Sequence, residues 1–344
     1  MAGHALAGYE GTKEIVQLAI EQKNLVEKTT LYFNQLADKE TDLQQLKVLS
    51  AELYAIYLRP LEPHLQTGLF QHLTIVQDTH AQLIPFESLY DAANQEYVLQ
   101  KPYVVSYRPN LSRDTSKTLA GASRTAIIAY SSDDDPNKDN HQAEAEAIAM
   151  IAPGSTHLSG GDFSTSGLLN RLNNSSHSVL HISSHAEFKT PFRQSMITLD
   201  NGKEMRVADL EKTIRSAALR SNPLDLLVLS ACQTARSYPA NQLEPEEMIR
   251  ASLGLAGVAA RSGAKSVIAS LWNVSEADRV LIDTGTIKPS IQGHDFYSLI
   301  NRNPGLSKAN ALKQAKLNLM QQDEYIRHRP HLWSAYILIG EPDA

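Results

Sequence analysis

The chain has 344 residues, 42% hydrophobic and 20% charged, with a formal net charge of −6. That length buries a sizeable core in two or so lobes, and the acidic balance argues against nucleic acid as a main partner, which would need a basic footprint. A single cysteine excludes an intramolecular disulfide and any zinc site built on several thiolates.

One cysteine suits a reducing, cytoplasmic compartment. No apolar run reaches the length that crosses a bilayer, so no membrane partner is expected. The N-terminal MAGHALAGYEGTKE lacks the apolar centre of a signal peptide and reads as an artificial junction or the cut edge of a longer chain.

Residues 12–58 hold no Gly or Pro, and apolar residues recur at three-to-four spacing from Ile15 through Leu18 and Ala19 to Leu25 and Val26. This predicts one or two long amphipathic helices, broken near Ala37–Lys39, in an N-terminal helical segment over 1–64. Arg59-Pro60-Leu61-Glu62-Pro63 ends it. Short strands are expected at 73–76, 103–107 and 125–130, with LIPFESLYD a turn entering a short helix. The acidic run SSDDDPNKDN at 131–140 reads as a solvated loop and AEAEAIAMIA at 143–152 as a helix.

From there strands and helices alternate. Strands are predicted at 178–183, 225–230, 265–270 and 335–340, and helices over RVADLEKTIRSAAL, EEMIRASLGLAGVAARS and KANALKQAKLNLMQQ. Near-continuous apolar strands alternating with helices imply an α/β fold, with a largely parallel sheet covered on both faces. Ligands of such sheets sit at the carboxyl ends of the strands.

The residues after these strands carry the chemistry. Ser184-His185-Ala186 follows one strand, Ala231-Cys232-Gln233 the next, and Leu271-Trp272-Asn273-Val274 a third. If the strands are neighbours, His185 and Cys232 face each other, and an imidazole beside a thiol makes it a nucleophile near neutral pH. His185 lies 47 residues before Cys232, close to the spacing of about 50 that accompanies Ala-Cys-[Arg/Gln/Gly] in caspases. On spacing alone, a buried structural cysteine with a surface histidine stays open beside the catalytic pair.

His181 and His185 look like a metal pair at i, i+4, but on a strand they stand about 13 Å apart, so no metal site is expected and His181 is read as a histidine that either packs in the core or supports the site residues from behind. GLAGVAARSGAKS at 254–266 resembles a phosphate loop only superficially, since Ala264 separates Gly263 from Lys265 and the run precedes a strand.

The pieces LTIVQDTHAQLIPFESLYDAANQEYVLQKPYVVSYRPN, AEAEAIA, VLHISSHAEF, LLVLSACQTA, GAKSVIASLWNV, FYSLI, ALKQAK and HLWSAYILIGEP run in one order across about residues 65–342. Together they resemble the CHAT domain, a caspase-like cysteine peptidase domain of bacterial proteins, often fused to TPR repeats and connected with signalling or defence. The resemblance implies a caspase-like sheet flanked by helices. It divides the domain into a degenerate, non-catalytic subdomain at 67–120 and a catalytic one at 121–342. It also implies a Cys232–His185 dyad without cofactor, with an oxyanion held by the backbone N–H groups of Cys232 and Ala186. By the same resemblance Ala269, Ser270, Leu271, Trp272, Asn273 and Val274 form an edge for an extended protein or peptide substrate, with Trp272 walling a side-chain pocket.

Relatives that cut after Arg or Lys carry an aspartate two residues before the cysteine. Ser230 stands there in this chain, and Arg193 and Arg236 match no caspase motif. An uncharged P1 residue is therefore expected. The family's acidic residue after the tryptophan is displaced to Glu276, and DTGTIKPSIQGH at 283–294 interrupts a usual helix. The loop RSYPANQLEPEE at 236–247 follows the cysteine. The expected activity is a cysteine endopeptidase acting on a specific partner protein, gated by that partner or by a TPR region. The alternative is a silent caspase-like scaffold.

Overall fold

The computed structural model describes residues 2–9, 12–65, 71–76, 84–108, 125–130, 138–174, 177–187, 195–219, 224–231, 263–272, 295–322 and 324–342. The chain starts with an antiparallel hairpin, β1 (Ala2–Tyr9) and β2 (Thr12–Glu21), paired from Tyr9↔Thr12. This corrects the expected helix over 12–21. The segment carries two periods at once: besides the helical spacing, Val16, Leu18 and Ile20 alternate, and three of its residues are β-branched aliphatics. A partner strand two residues upstream decides between them.

Two helices follow, α1 (Gln22–Ala37) and α2 (Leu43–Tyr57). They are separated where a break was expected. Asp42 caps α2 by accepting from the N–H groups of Gln44 and Gln45 at 2.8 and 3.2 Å. After the short helix α3 (Glu62–Leu65) come β3 (His72–Val76), the two-residue strands β4 (Tyr90–Asp91) and β5 (Glu96–Tyr97), and β6 (Val104–Arg108). LIPFESLYD holds a single 3-10 turn at Phe86–Ser88 that leads into the β4–β5 hairpin.

The alternating part then runs β7 (Ala126–Tyr130), α4 (Lys138–Ile151), β8 (Thr156–Leu158), α5 (Thr165–Asn174) and β9 (Val179–Ser184). Three short strands, β10 (Ala186–Glu187), β11 (Met196–Thr198) and β12 (Glu204–Arg206), form a separate antiparallel sheet. Next come α6 (Val207–Ala218), β13 (Leu226–Ala231), β14 (Ser266–Ser270), α7 (Tyr297–Arg302) and α8 (Lys308–Gln322). The chain closes with α9 (Glu324–Arg327), α10 (Pro330–Trp333) and β15 (Tyr336–Gly340). The helix expected over EEMIRASLGLAGVAARS, and with it most of the glycine-rich run, lies outside the described residues.

Eight strands make one mixed, mostly parallel sheet in the order β3-β6-β15-β14-β13-β9-β7-β8. The β14–β15 contact is antiparallel and every other neighbouring pair is parallel. The sheet is thus a five-stranded and a three-stranded parallel block, oppositely directed, meeting at one seam. Segment 67–120 supplies two strands of the smaller block. At the seam Gly340 holds φ +104°, and a Cβ there would lie 2.3 Å from the Lys265 carbonyl oxygen, so only glycine fits.

The apolar runs follow from burial on both faces. In β13, Leu226 and Val228 join the core under α4, α7 and α8, while Leu227 and Leu229 join the core under α5 and α6. Each such side chain contributes about 1.5–3 kcal/mol when fully buried. A run without alternation is what a doubly covered strand requires. Among the described residues no helix is long and apolar enough to cross a membrane.

Candidate active site

β9 and β13 are direct neighbours, and their register pairs His181 with Val228, Ser183 with Ser230, and Ser184 with Ala231. His185 is the next residue after Ser184, and Cys232 is the next residue after Ala231. Cys232 itself lies outside the described residues, as do Asn273, Val274, Arg193, Arg236, Glu276 and the stretches 236–247 and 283–294.

His185 is half-buried between β9 and β10. Its backbone is fixed by β11: the Thr198 N–H donates to the His185 carbonyl at 2.8 Å, and the Ser184 hydroxyl donates to the Thr198 carbonyl. That bond makes Ala186↔Ile197 a non-hydrogen-bonded pair of the β10–β11 ladder, so the Ala186 N–H points away from β11.

The face of β9 and β13 turned toward α4 changes character at its carboxyl end. It begins apolar with Val179, Leu226 and Val228 and ends with His181, Ser183 and Ser230, all buried. Glu144 of α4 meets this polar end. Its Oε2 accepts from Ser183 Oγ at 2.7 Å and from Ser230 Oγ at 3.1 Å, and its Oε1 lies 3.4 Å from His181 Nε2. His181 Nδ1 is 3.1 Å from the Tyr297 hydroxyl. Burial and the Glu144 charge hold the Tyr297 phenol well above its ordinary range, so it stays a donor. Ser183 Oγ is also 2.9 Å from His141 Nδ1, and the His141 ring stands edge-on to His185 with centroids 5.4 Å apart.

His141 and Glu144 were missed in the sequence. They share one helical face with buried Ala145, Ile148 and Ala152. Two ionisable residues on the apolar stripe of an amphipathic helix were the signal. His181 is a packed histidine, and among the described residues no cluster could hold a metal ion.

Four of the residues expected on the substrate side, Ser230, Ala269, Leu271 and Trp272, are buried. Ser230 is 1% exposed and donates to Glu144, because its position shares the α4 face with Leu226 and Val228. A carboxylate sits beside it, so Ser230 by itself does not argue for an uncharged P1 residue. Ala269 pairs with Leu229 on one side and Ile337 on the other, Ser270 pairs with Tyr336, and the Leu271 N–H donates to the Ala335 carbonyl at 2.7 Å. Ala269 is therefore paired on both sides, while Ser270 and Leu271 are held on the β15 side. Trp272 is 3% exposed. Its indole N–H donates to the His331 carbonyl at 3.0 Å, and its ring packs edge-on against Phe33 of α1 with centroids 5.9 Å apart. A large aromatic with its N–H satisfied by backbone is a core residue, not a pocket wall.

A comparison with curated proteins finds no match. Among solved structures, the fold is similar to the crystal structure of the Arg-specific cysteine proteinase gingipain R, with 10% identity and a TM-score of 0.40 over 94% of this chain and 75% of that one. A likeness at that level carries no activity and no residue correspondence. The family model described as the CHAT domain matches residues 47–341, most of the chain, and the protein belongs to that family.

Proposed function

We propose that this protein is a cysteine endopeptidase of the caspase-like kind, with Cys232 as nucleophile and His185 as general base and then acid. The observation that supports it best is the β9–β13 register, which sets Ser184 opposite Ala231, the residues before His185 and Cys232. Two adjacent parallel strands ending together give a base and a nucleophile a shared, rigid origin.

In this mechanism His185 withdraws the Cys232 proton, the thiolate attacks the substrate carbonyl, and the imidazolium protonates the departing amine. Water, activated by the same histidine, then hydrolyses the thioester. The tetrahedral oxyanion accepts from the N–H groups of Ala186 and Cys232. The direction of the Ala186 N–H, away from its ladder partner, supports that role.

The test is cleavage of unfolded casein and of fluorogenic peptides carrying Arg, Leu or Asp at P1. Cys232→Ala and His185→Ala are each expected to lose at least about a thousandfold in kcat/KM. Cleavage unchanged in Cys232→Ala would refute the mechanism.

A further inference from the structure

We propose that Glu144, through Ser183 and His141, is a positioning residue for His185: the buried carboxylate fixes the tautomer of His141 and stabilises the imidazolium that His185 forms. This rests on the Cys232–His185 dyad proposed above.

The direction of each hydrogen bond follows from one charge. An ionised carboxylate only accepts, so the Ser183 proton is committed to Glu144 Oε2 at 2.7 Å. Ser183 can then only accept from His141 Nδ1, 2.9 Å away. His141 therefore carries its proton on Nδ1, and its ring lies edge-on to His185. On the other side the Tyr297 hydroxyl donates to His181 Nδ1, which leaves the His181 proton on Nε2, facing Glu144 Oε1. Among the described residues, the titratable groups facing Glu144 are thus His141 from α4 itself by way of Ser183, His181 from β9 and Tyr297 from α7.

The place of this cluster separates a functional role from simple packing. Burying a carboxylate is costly, and at mid-sheet the same face carries Ile128, Val228 and Ile268 around a single polar residue of β9, His181. Beyond the His181 row, Ser183 and Ser230 stand side by side on this face where β9 and β13 run out, next to His185. In the proposed relay that charge acts on the proton His185 takes from Cys232 during the reaction, and so on the thiolate it leaves behind.

The sign of the effect is fixed. Removing the charge destabilises the imidazolium, the thiolate loses its counter-ion, and Cys232 becomes reactive only at higher pH. Iodoacetamide alkylation against pH reads this directly by mass spectrometry, because Cys232 is the only cysteine. In the full chain the wild-type midpoint is expected below the ~8.5 of a free thiol. Glu144→Gln should raise it by about one unit, Ser183→Ala should raise it by less, and Tyr297→Phe, on the branch away from His141, should leave it in place. If Glu144→Gln does not fold, Ser183→Ala against Tyr297→Phe decides. Glu144→Gln and Ser183→Ala profiles that superimpose on wild type, with His185→Ala shifted, would overturn the relay alone. So would a Tyr297→Phe shift as large as that of Ser183→Ala. A wild-type profile of an ordinary thiol, unmoved by His185→Ala, would overturn the dyad and the relay with it.

Discussion

Glu87 and Glu144 are both buried beside the same sheet, and their partners among the described residues differ in kind. Glu87, in the turn that leads into β4, meets a charge: Lys316 Nζ of α8 lies 2.6 Å away, with the side chains 5% and 0% exposed. Glu144, beside the ends of β9 and β13, meets two serine hydroxyls and an imidazole among the described residues. An ammonium cancels a carboxylate where it stands, whereas neutral donors orient around it and pass its influence along. The first arrangement pins a helix to the core. The second carries a charge toward the half-buried His185. Buried ionisable groups in one fold thus divide into those that brace and those that tune.

The sharpest way to break this contrast is to remove one partner of the bracing pair. Lys316→Ala leaves the Glu87 charge buried and unpaired, so a loss of about 3–5 kcal/mol is expected in urea unfolding. The pH profile of Cys232 alkylation in the folded fraction should not move. A variant within 1 kcal/mol of wild type would show that Glu87 is not held as described. Replacing both partners, Glu87→Gln with Lys316→Met, should recover most of the stability.

A smaller effect is expected on the tuning side. Ser183→Ala costs about 1–3 kcal/mol, since Glu144 loses one of several donors and His141 one acceptor. Here stability and reactivity should separate: the melting shift is modest and the alkylation profile moves. If Lys316→Ala moves the profile and Ser183→Ala does not, the two roles are assigned the wrong way round.

Much of this was legible in the sequence because β9, β13 and β14 are covered on both faces and so appear as unbroken apolar runs. Their ends could be placed, and with them His185 after β9. The orientation of Ser230 was not legible: period-2 alternation puts it on the face of Leu226 and Val228, but only the three-dimensional packing shows that α4 and Glu144 lie over that face. Trp272 looked like a pocket wall because it follows a strand at the same end of the sheet as His185, yet α1 and α10 pack against it. The strands β10, β11 and β12, two or three residues each, are too short for periodicity. In β2 both periods coexist, and pairing with β1 outweighs the helical one. His141 and Glu144 break the apolar stripe of α4, a pattern that points to buried polar work before any partner is known.

The central claim, that Cys232 and His185 form one reactive pair, is tested most directly by a bifunctional alkylator such as 1,3-dibromoacetone, which bridges a thiolate and an imidazole within a few ångströms of each other. After digestion, mass spectrometry should find the peptide holding Cys232 joined to the peptide holding His185, and the product should vanish in His185→Ala. Cys232 alkylated at one end only, or joined to His141 instead, would contradict the dyad.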